Sequence, residues 1–405
     1  MSLLYSFGIF LYGCLLHFAA LFNPKAKKWV NGRKNWKLNL KGAIANNEQV
    51  IWFHCASLGE FEQGRPIIEG IRKKYPTHFI LLTFFSPSGY EIRKNYAGAD
   101  YVCYLPLDTK ANARYFIQTA HPKMVFFVKY EFWANFLFQL KKKNIPTYSI
   151  SAIFRKDQHF FKENRRFSKK ILSCFTHFFV QNEASKDLLN SIGINHVTIS
   201  GDTRFDRVAD NANSVNKNDL LERFTKNATT LVMGSSWPID EEMIFPFINN
   251  GEFKEKIIIA PHEVNEKHIA NICSQLNVSY QRYSSCNEQT DLENTQVLII
   301  DSIGLLASAY YYGTYAYIGG AFERGLHNIL EATVFGLPVI FGPKHTKFPE
   351  AQQFIDAGFG FSISSSSEFE VARKLILENT PILKEKAIHF MERKKGAREI
   401  ILSEL

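Results

Sequence analysis

Apolar residues along this chain fall into short runs of four to six, separated by longer amphipathic stretches. This alternation is typical of βαβ units, in which buried parallel strands alternate with helices. It predicts ten strands, five in each half of the chain, at residues 50–54, 79–84, 124–128, 147–151, 175–180, 230–233, 256–260, 297–301, 315–318 and 338–341. We therefore expect an α/β protein with two doubly wound, Rossmann-like domains.

A polar stretch at residues 202–218, rich in Asp and Asn, interrupts the apolar periodicity and is the predicted domain boundary. We assign residues 25–205 to an N-terminal domain and residues 206–405 to a C-terminal domain, whose last helix could pack back on the first. Doubly wound domains bind ligands at the carboxyl ends of their strands, and we expect the two domains to face a shared cleft.

The first 24 residues contain no Lys, Arg, Asp or Glu, whereas residues 25–41 contain seven basic residues and no acidic one. An apolar run of ~20 residues is long enough to span a bilayer as a helix, and a basic flank favours the cytoplasmic side. Residues 1–24 are therefore the predicted membrane anchor. A cleaved signal peptide is disfavoured because no charged segment precedes the apolar run. Gly8, Gly13 and His17 weaken the span, which leaves a buried or interfacial helix as the alternative.

Charge is distributed unevenly along the chain. The net charge is +9, but residues 1–200 carry +16 and the remainder −7. The basic first half suits an anionic surface or ligand, including membrane phospholipids. No recognisable nucleic-acid-binding module accompanies this charge, which disfavours nucleic acid as a partner. The six scattered cysteines, with no C-x-x-C pair, indicate a reducing compartment and argue against structural zinc.

Two carboxylates in the first half follow predicted strands. Glu60 directly precedes a predicted helix at 61–74, where it could take a proton from a substrate or simply favour the helix dipole. Glu131 lies among aromatic residues and beside Lys129, where it could orient a sugar, act as acid or base, or form an ion pair with a nearby base. These two residues are the predicted catalytic groups.

Four residues in other loops are candidates for binding an anionic substrate. Arg204, at the domain boundary, could reach a phosphate or pair with a neighbouring aspartate. Ser235 and Ser236 follow the first strand of the second half and could donate to phosphate or cap the next helix. His262 follows another strand and could contact a phosphate or be an ordinary surface residue.

The most informative loop is glycine-rich and follows the strand at 315–318. Gly320 lets the backbone approach a ligand, and a helix is predicted to begin near His327 with its free N–H groups available to a phosphate. Asn328 and Glu331 are three positions apart on that helix, so Glu331 could accept hydrogen bonds from ribose hydroxyls. The alternative is a simple strand-to-helix turn.

Several common motifs are missing from the sequence. It contains no G-x-x-x-x-G-K-[ST] loop and no G-x-G-x-x-G followed by an acid ~20 residues later, which disfavours ATPases and dehydrogenases. It also contains no D-x-D and no H-E-x-x-H, so metal-bridged diphosphate chemistry is not supported.

Together these loops resemble the 3-deoxy-D-manno-octulosonic acid (Kdo) transferases, inverting glycosyltransferases of GT-B fold, over nearly the whole chain. The resemblance lies in the apolar N-terminus, the serine-x-glycine-glutamate loop that ends at Glu60, the H-N-I-L-E segment at 327–331 and G-x-P-V-x-x-G-P at 336–343. The chain departs from the family pattern at several places: Lys129 for an acid, Ala134 for a proline, no arginine between Pro261 and His262, and Leu326 for a glycine. A glycine-asparagine-x-lysine motif of the family corresponds to residues 201–204, which end in Arg204.

The resemblance implies that Glu60 is the catalytic base and that Glu131 is the retained carboxylate of a second acidic motif. It implies transfer of Kdo from CMP-Kdo to the lipid A precursor on the cytoplasmic face of the bacterial inner membrane, during lipopolysaccharide synthesis, with no metal or other cofactor. Three alternatives stay open: another GT-B transferase that uses a UDP-sugar, a nucleotide-sugar epimerase of the same fold, and a non-catalytic scaffold that binds anionic lipid.

Overall fold

A computed structural model describes residues 2–44, 49–162, 166–251 and 253–405. The chain divides into two compact units, the first formed by Met1–Arg207 together with Lys395–Leu405 and the second by Val208–Lys394. The division falls within the polar stretch expected to hold the boundary, two residues beyond the expected position. The last eleven residues belong to the first unit.

In the described part of the chain up to the division, helices and strands alternate almost throughout. In chain order they are α1 (Ser2–Ala19), α2 (Pro24–Asn31), α3 (Trp36–Ile44), β1 (Val50–Cys55), α4 (Leu58–Lys74), β2 (Phe79–Phe84), α5 (Pro87–Arg93), β3 (Tyr101–Tyr104), α6 (Lys110–Ala120), β4 (Pro122–Val128), α7 (Ala134–Lys142), β5 (Thr147–Ala152), a 3₁₀ turn (His159–Phe161), α8 (Arg166–Leu172), β6 (His177–Val180), α9 (Glu183–Ser191), β7 (Val197–Ile199) and α10 (Thr203–Asn213). Helix α10 contains most of the polar stretch.

The same alternation continues after the division. The elements are α11 (Asp219–Thr225), β8 (Thr230–Ser236), α12 (Pro238–Asn249), β9 (Lys256–Pro261), α13 (Glu266–Gln275), β10 (Tyr280–Arg282), a 3₁₀ turn (Tyr283–Ser285), β11 (Val297–Ile299), α14 (Leu306–Tyr311), β12 (Tyr315–Ile318), α15 (Leu330–Thr333), β13 (Val339–Phe341), α16 (Pro349–Ala357), β14 (Gly360–Ser362), α17 (Ser366–Lys394) and α18 (Ala397–Ser403). Helix α17 is kinked at Asn379, whose backbone is not helical.

Each unit is built around a parallel sheet, with seven strands among the described residues of each. The order is β3-β2-β1-β4-β5-β6-β7 in the first sheet and β10-β11-β9-β8-β12-β13-β14 in the second. The strand order reverses between β1 and β4 in the first sheet and between β8 and β12 in the second. In doubly wound sheets, ligands bind outside the carboxyl ends of the strands at such a reversal. The expected α/β architecture with two such sheets is confirmed.

Alternate residues of the inner strands face opposite sides of the first sheet, and both sides are buried. Val50 and Trp52 belong to one apolar cluster, with residues of α3, α6 and α7, whereas Ile51 and Phe53 belong to another, with residues of α4 and α18. Parallel sheets need a helical layer on each face, which explains the nearly continuous apolar sequence of these strands.

The C-terminal helix α18 is fixed to the first unit at its N-terminal end. The Asp206 carboxylate accepts the backbone N–H groups of Gly396 (2.8 Å) and Arg398 (3.2 Å). Ile401 of α18 is fully buried in the core beside α4. Asp206 thus satisfies N–H groups at the start of α18 that have no partner within the helix.

All ten predicted strands are present, with ends within three residues of the prediction. Four strands of three or four residues were not predicted, namely β3, β7, β10 and β14. Each of these lies at an edge of its sheet. The predicted helix at 61–74 is α4, which begins three residues earlier.

The apolar N-terminus forms α1, which packs on the first unit by one side. The Tyr5 hydroxyl donates to Asp108 (2.7 Å), and Ile9 is buried. Other side chains of α1 are exposed, including Leu3 (80%) and Phe7 (64%). Within residues 2–44, 49–162, 166–251 and 253–405, no helix has both the length and the apolar character needed to cross a membrane. The membrane-spanning anchor expected at residues 1–24 is unconfirmed and stays a prediction.

Candidate active site

Glu60 lies in the first turn of α4, directly after the buried strand β1. Ser57, the residue that precedes the helix, has an extended backbone and donates its hydroxyl to the Glu60 carboxylate. Glu60 is half-buried, so its carboxylate is both oriented and accessible. The helix dipole also favours an acidic residue in the first turn. The position of Glu60 is therefore compatible both with a role as a base and with a purely structural role in the helix.

Glu131 follows β4 and accepts hydrogen bonds from two aromatic side chains. Its carboxylate receives Nε2–H of His54 (3.0 Å) and the indole N–H of Trp133 (2.6 Å), and its side chain is 13% exposed. His54 is fully buried on β1, with Nδ1 2.8 Å from the Thr83 hydroxyl oxygen. The alternative interpretation of Glu131 was an ion pair with a nearby base, and the basic residue at this position is His54. The hydrogen bond between them links the loop after β4 to β1.

The loops after β1, β4 and β5 meet at the same edge of the first sheet. Arg155, which follows β5, donates to the Tyr130 hydroxyl (3.4 Å). The pKa of Tyr130 is raised, mainly by burial, although the positive charge of Arg155 acts to lower it. Lys129 and Ser151 have positive φ angles of 66° and 51°. Non-glycine residues with this strained backbone cluster at functional sites.

In the second unit, three aromatic rings stack where β8, β9 and β12 end. The His262 ring lies 4.7 Å from the Trp237 ring and 4.4 Å from the His327 ring, both at 25°. The Trp237 indole N–H donates to Nε2 of His327 (3.0 Å). Burial, aided by the charge of His262, lowers the pKa of His327 to about 4, so at neutral pH its ring is uncharged and can accept this bond.

Asp240, a residue that sequence analysis missed, joins two of these loops. Its carboxylate accepts the backbone N–H of Trp237 (2.9 Å) and of Gly320 (3.0 Å), and the Tyr317 hydroxyl (2.6 Å). Gly320 has φ +92°, and a Cβ there would lie 2.6 Å from the carbonyl oxygen of Gly325. Asp240 thus fixes the glycine-rich loop against the loop after β8, at the point where the strand order reverses.

The two serines at the carboxyl end of β8 have different environments. Ser235 is half-buried and has φ +53°, which marks it as another strained residue. Ser236 is fully buried and donates to Glu241 (2.8 Å), which also accepts from His268 (3.0 Å). The expectation that both serines contact phosphate is therefore wrong for the Ser236 side chain, because its hydroxyl is committed to Glu241.

The expected helix start near His327 is also wrong. Helix α15 begins three residues later, at Leu330, and has a single turn. The backbone N–H of His327 bonds to Gly319 O (3.3 Å), which holds this segment outside helical geometry. Asn328 is exposed and donates its amide to Glu331 (2.9 Å). Any ligand at this loop would meet turn backbone and the Asn328–Glu331 pair.

Arg204 is engaged by its neighbour Asp202 in the first unit. Its Nε and Nη2 donate to Asp202 Oδ2 (2.8 and 2.7 Å), and its backbone N–H donates to Oδ1 (3.0 Å). Burial by itself raises the pKa of the Asp202 carboxylate, but the positive charge of Arg204 and these hydrogen bonds lower it by more, so the net shift is downward. The alternative interpretation of Arg204, an ion pair with a neighbouring aspartate, is thus the arrangement observed.

Potential metal ligands are dispersed through both units. In the part of the chain that the structure describes, no group of three or more His, Cys, Asp or Glu side chains is placed to hold a metal ion. The histidines at the two sheet edges, His54 and the His262–His327 pair, contact other protein side chains.

Comparison with known proteins shows which proteins this chain is similar to. A family model described as 3-deoxy-D-manno-octulosonic-acid transferase (kdotransferase) matches residues 33–207, which include Glu60 and Glu131. The chain is 28% identical to the 3-deoxy-D-manno-octulosonic acid transferase of Rickettsia prowazekii over 338 residues, 80% of this chain and 71% of that protein. It is 25% identical to the enzyme of the same name from Chlamydophila psittaci over 385 residues, 91% of this chain and 88% of that protein.

The chain is similar to Kdo transferases over most of its length. It is a glycosyltransferase, as the resemblance implied. Among solved structures, a UDP-GlcNAc 2-epimerase from Neisseria meningitidis bound to UDP-GlcNAc has a similar fold, with a TM-score of 0.61, 16% identity, and coverage of 88% of this chain and 98% of that one. At this identity the likeness shows the fold alone.

The predicted catalytic residues and most of the predicted donor-binding residues lie in different units. Glu60 and Glu131 lie at one edge of the first sheet, within the segment that the family model matches. At the carboxyl ends of neighbouring strands of the second sheet, or in the segments that follow them, lie Ser235, Gly320, Glu331 and the His262–His327 pair. The supporting residues that sequence analysis missed, among them His54 and Asp240, act through partners distant in sequence.

Proposed function

We propose that this glycosyltransferase is an inverting GT-B enzyme that transfers Kdo from CMP-Kdo to the lipid A precursor, with Glu60 as general base. The match of residues 33–207 to the Kdo transferase family model and the names of the relatives support the choice of sugar. The observation that carries the mechanism is the half-buried Glu60 carboxylate, oriented by Ser57 beside the strand-order reversal of the first sheet.

The proposed reaction is a single displacement. An acceptor hydroxyl gives its proton to Glu60 while its oxygen attacks the anomeric carbon of Kdo. The bond between that carbon and the phosphate oxygen of CMP breaks on the opposite face, and its electron pair leaves with CMP, so the anomeric configuration inverts. A positioned general base contributes ~10²–10⁴-fold to such a step. Glu131 keeps the loop after β4 in place through His54 and Trp133.

We propose that the donor binds the second unit at the loops after β8, β9 and β12. Arg324, whose guanidinium carbon lies 5.2 Å from the centroid of the Trp237 ring, supplies positive charge for the phosphate and the Kdo carboxylate. Ser235 offers a hydroxyl, and Gly320 permits close approach of the backbone. Glu331 is the proposed acceptor for ribose hydroxyls.

We propose that no metal is needed, because departing CMP carries only one phosphate, whose charge these protein groups can stabilise. Two predicted phosphate contacts are left out of this proposal. The Ser236 hydroxyl is bonded to Glu241, and the Arg204 guanidinium is bonded to Asp202.

The proposed location is the cytoplasmic face of the bacterial inner membrane, with α1 lying in the interface. Exposed apolar residues of α1, such as Leu4 (70%) and Phe10 (63%), would enter the boundary between headgroups and acyl chains. The basic residues that follow, including Lys25, Lys27 and Lys28, would attract anionic phospholipid at ~1 kcal/mol each. Co-sedimentation with vesicles tests this, and equal binding to neutral and anionic vesicles would contradict the electrostatic part.

The function is tested by incubating the purified full chain with CMP-Kdo and the lipid A precursor, and measuring free CMP and the mass of the product. We expect stoichiometric CMP release and a product heavier by one or more Kdo residues. Competition between CMP and UDP for the free protein distinguishes the main alternative, since a clear preference for UDP would reject the Kdo donor. No CMP release would favour a scaffold, and a modified nucleotide sugar without acceptor would favour an epimerase.

A further inference from the structure

An apolar cavity of about 710 Å³ lies within the first unit, between α1, the loops after β4 and β5, and α8. Its lining is mainly aromatic and aliphatic and includes Leu4, Tyr5, Phe132, Phe160, Phe167 and Ile171. A cavity of this size and character is typical of sites that bind small apolar ligands.

The cavity adjoins the edge of the sheet that carries Glu60. Tyr130 and Glu131 contribute to its wall, and Glu131 is hydrogen-bonded to His54 of β1, the strand that leads into the loop of Glu60. At its other side the wall is formed by α1, where Leu4 both lines the cavity and is 70% exposed. The cavity therefore connects the catalytic edge with the apolar surface of α1.

We infer that this cavity holds an acyl chain of the acceptor glycolipid while the acceptor sugar lies at Glu60. The inference rests on the proposed function, which requires a lipid acceptor, and it adds the site that recognises the lipid part. An apolar chain gains free energy when it leaves water for an apolar cavity. Holding it there places the attached sugar near the general base and reduces the entropic cost of the reaction.

A positive charge at the same cavity suits an anionic lipid. Arg155 lines the cavity, and its side chain is 61% exposed. Its ion pair with Asp157 is 3.7 Å long and exposed to water, so it is a weak interaction that a phosphate group can replace. The cavity thus combines an apolar interior with a cation at its margin, as a phosphorylated glycolipid requires.

The first test fills the cavity. Ser168 is buried and contributes to its wall, so Ser168→Phe places a ring where the acyl chain would lie. Ser173 is exposed just beyond α8, and Ser173→Phe is the matched control. We expect Ser168→Phe to raise KM for the fully acylated acceptor about tenfold or more, through lost apolar burial. For a de-acylated, phosphorylated acceptor we expect kcat/KM to stay within about twofold of the wild-type value.

A second pair of variants avoids overpacking the core. Leu4→Arg places a charge at the exposed wall of the cavity, whereas Leu3→Arg adds the same charge to α1 at a residue that is 80% exposed and does not line it. Both variants change the membrane affinity of α1 alike. Only Leu4→Arg should raise KM for the acylated acceptor. Equal effects of Leu3→Arg and Leu4→Arg, or losses of the same size with both acceptors, would overturn the inference.

Photo-crosslinking identifies the occupant. An acceptor analogue with a diazirine in one acyl chain should label residues within 158–162 or 166–171, and excess unlabelled acceptor should suppress the labelling. Suppression by phosphatidylglycerol at equal concentration would mean that bulk phospholipid occupies the cavity, which overturns the inference. Absence of CMP release with either acceptor would refute the proposed function, while the crosslinking would still test the cavity.

Discussion

Replacing Glu60 by Gln separates its proposed catalytic role from its structural one. The substitution keeps the size of the side chain and one oxygen that can accept the Ser57 hydroxyl, but it removes the basic carboxylate. The matched control is Glu69→Gln in the same helix α4. Glu69 is also partly exposed and accepts a hydrogen bond from Arg65 (2.7 Å), so the charge change is the same.

The two roles predict effects of very different size. Loss of a general base lowers kcat by ~10²–10⁴-fold, which corresponds to ~2.7–5.5 kcal/mol in the activation free energy. Loss of a first-turn acid costs only ~0.3–1 kcal/mol of the free energy of unfolding. Loss of the exposed pair in the control costs ~0.3–0.5 kcal/mol. Glu60→Gln should therefore be nearly inactive and almost as stable as the wild type.

The assay measures CMP release at saturating CMP-Kdo and acceptor, together with CMP affinity by calorimetry and the urea unfolding midpoint. We expect Glu60→Gln to bind CMP and unfold nearly as the wild type does, while kcat falls at least about a hundredfold. Glu69→Gln should retain nearly full turnover. If Glu60→Gln keeps more than about a tenth of the wild-type kcat, Glu60 is not the general base.

Three further predictions follow from the buried polar groups. Folding lowers the pKa of His327 from 6.5 to about 4, so the stability that this neutral ring contributes above pH 6.5 should be lost as the pH falls towards 4. His327→Gln should weaken the pH dependence of the urea unfolding midpoint, and an unchanged pH dependence would contradict the assignment. Asp240→Ala leaves three donors without their acceptor and should lower the free energy of unfolding by at least ~3 kcal/mol, which an unchanged midpoint would refute. Burial raises the pKa of Asp108 to about 7, although the hydrogen bond from the Tyr5 hydroxyl acts to lower it. Tyr5→Phe should therefore reduce the free energy of unfolding by ~1.5–3 kcal/mol at pH 8, where Asp108 is ionised, and by less at pH 5, and equal losses would exclude a bond to the ionised carboxylate.

The predicted strands have a neighbouring strand on both sides, whereas the missed strands lie at the edges of the sheets. Inner strands such as β1 and β4 are buried on both faces and pair on both sides, so they need continuous apolar runs that stand out in the sequence. The missed strands β3, β7, β10 and β14 pair on one side only and are three or four residues long. Such edge strands need little apolar sequence, and only their neighbours in the sheet define them.

The candidate site divides along similar lines. Glu60 and Glu131 were identifiable because each closely follows an apolar run that becomes an inner strand. The supporting contacts could not be identified from the sequence, because the bonded residues are far apart in the chain. His54 and Glu131 are separated by 77 positions, and Asp240 and Gly320 by 80. The assignment of Ser236 failed for the same reason, because spacing could not reveal that its side chain is buried against Glu241.

The sequence by itself determined the two α/β units, their inner strands and the loops that carry the candidate residues, because periodicity and the order of motifs are local properties of the chain. Tertiary structure alone decided the edge strands, the position of α18 on the first unit and the packing of α1 through Tyr5 and Asp108. It also decided which polar side chains bind one another and which face solvent. Those outcomes depend on contacts between distant segments, whose free energies no local pattern of residues contains.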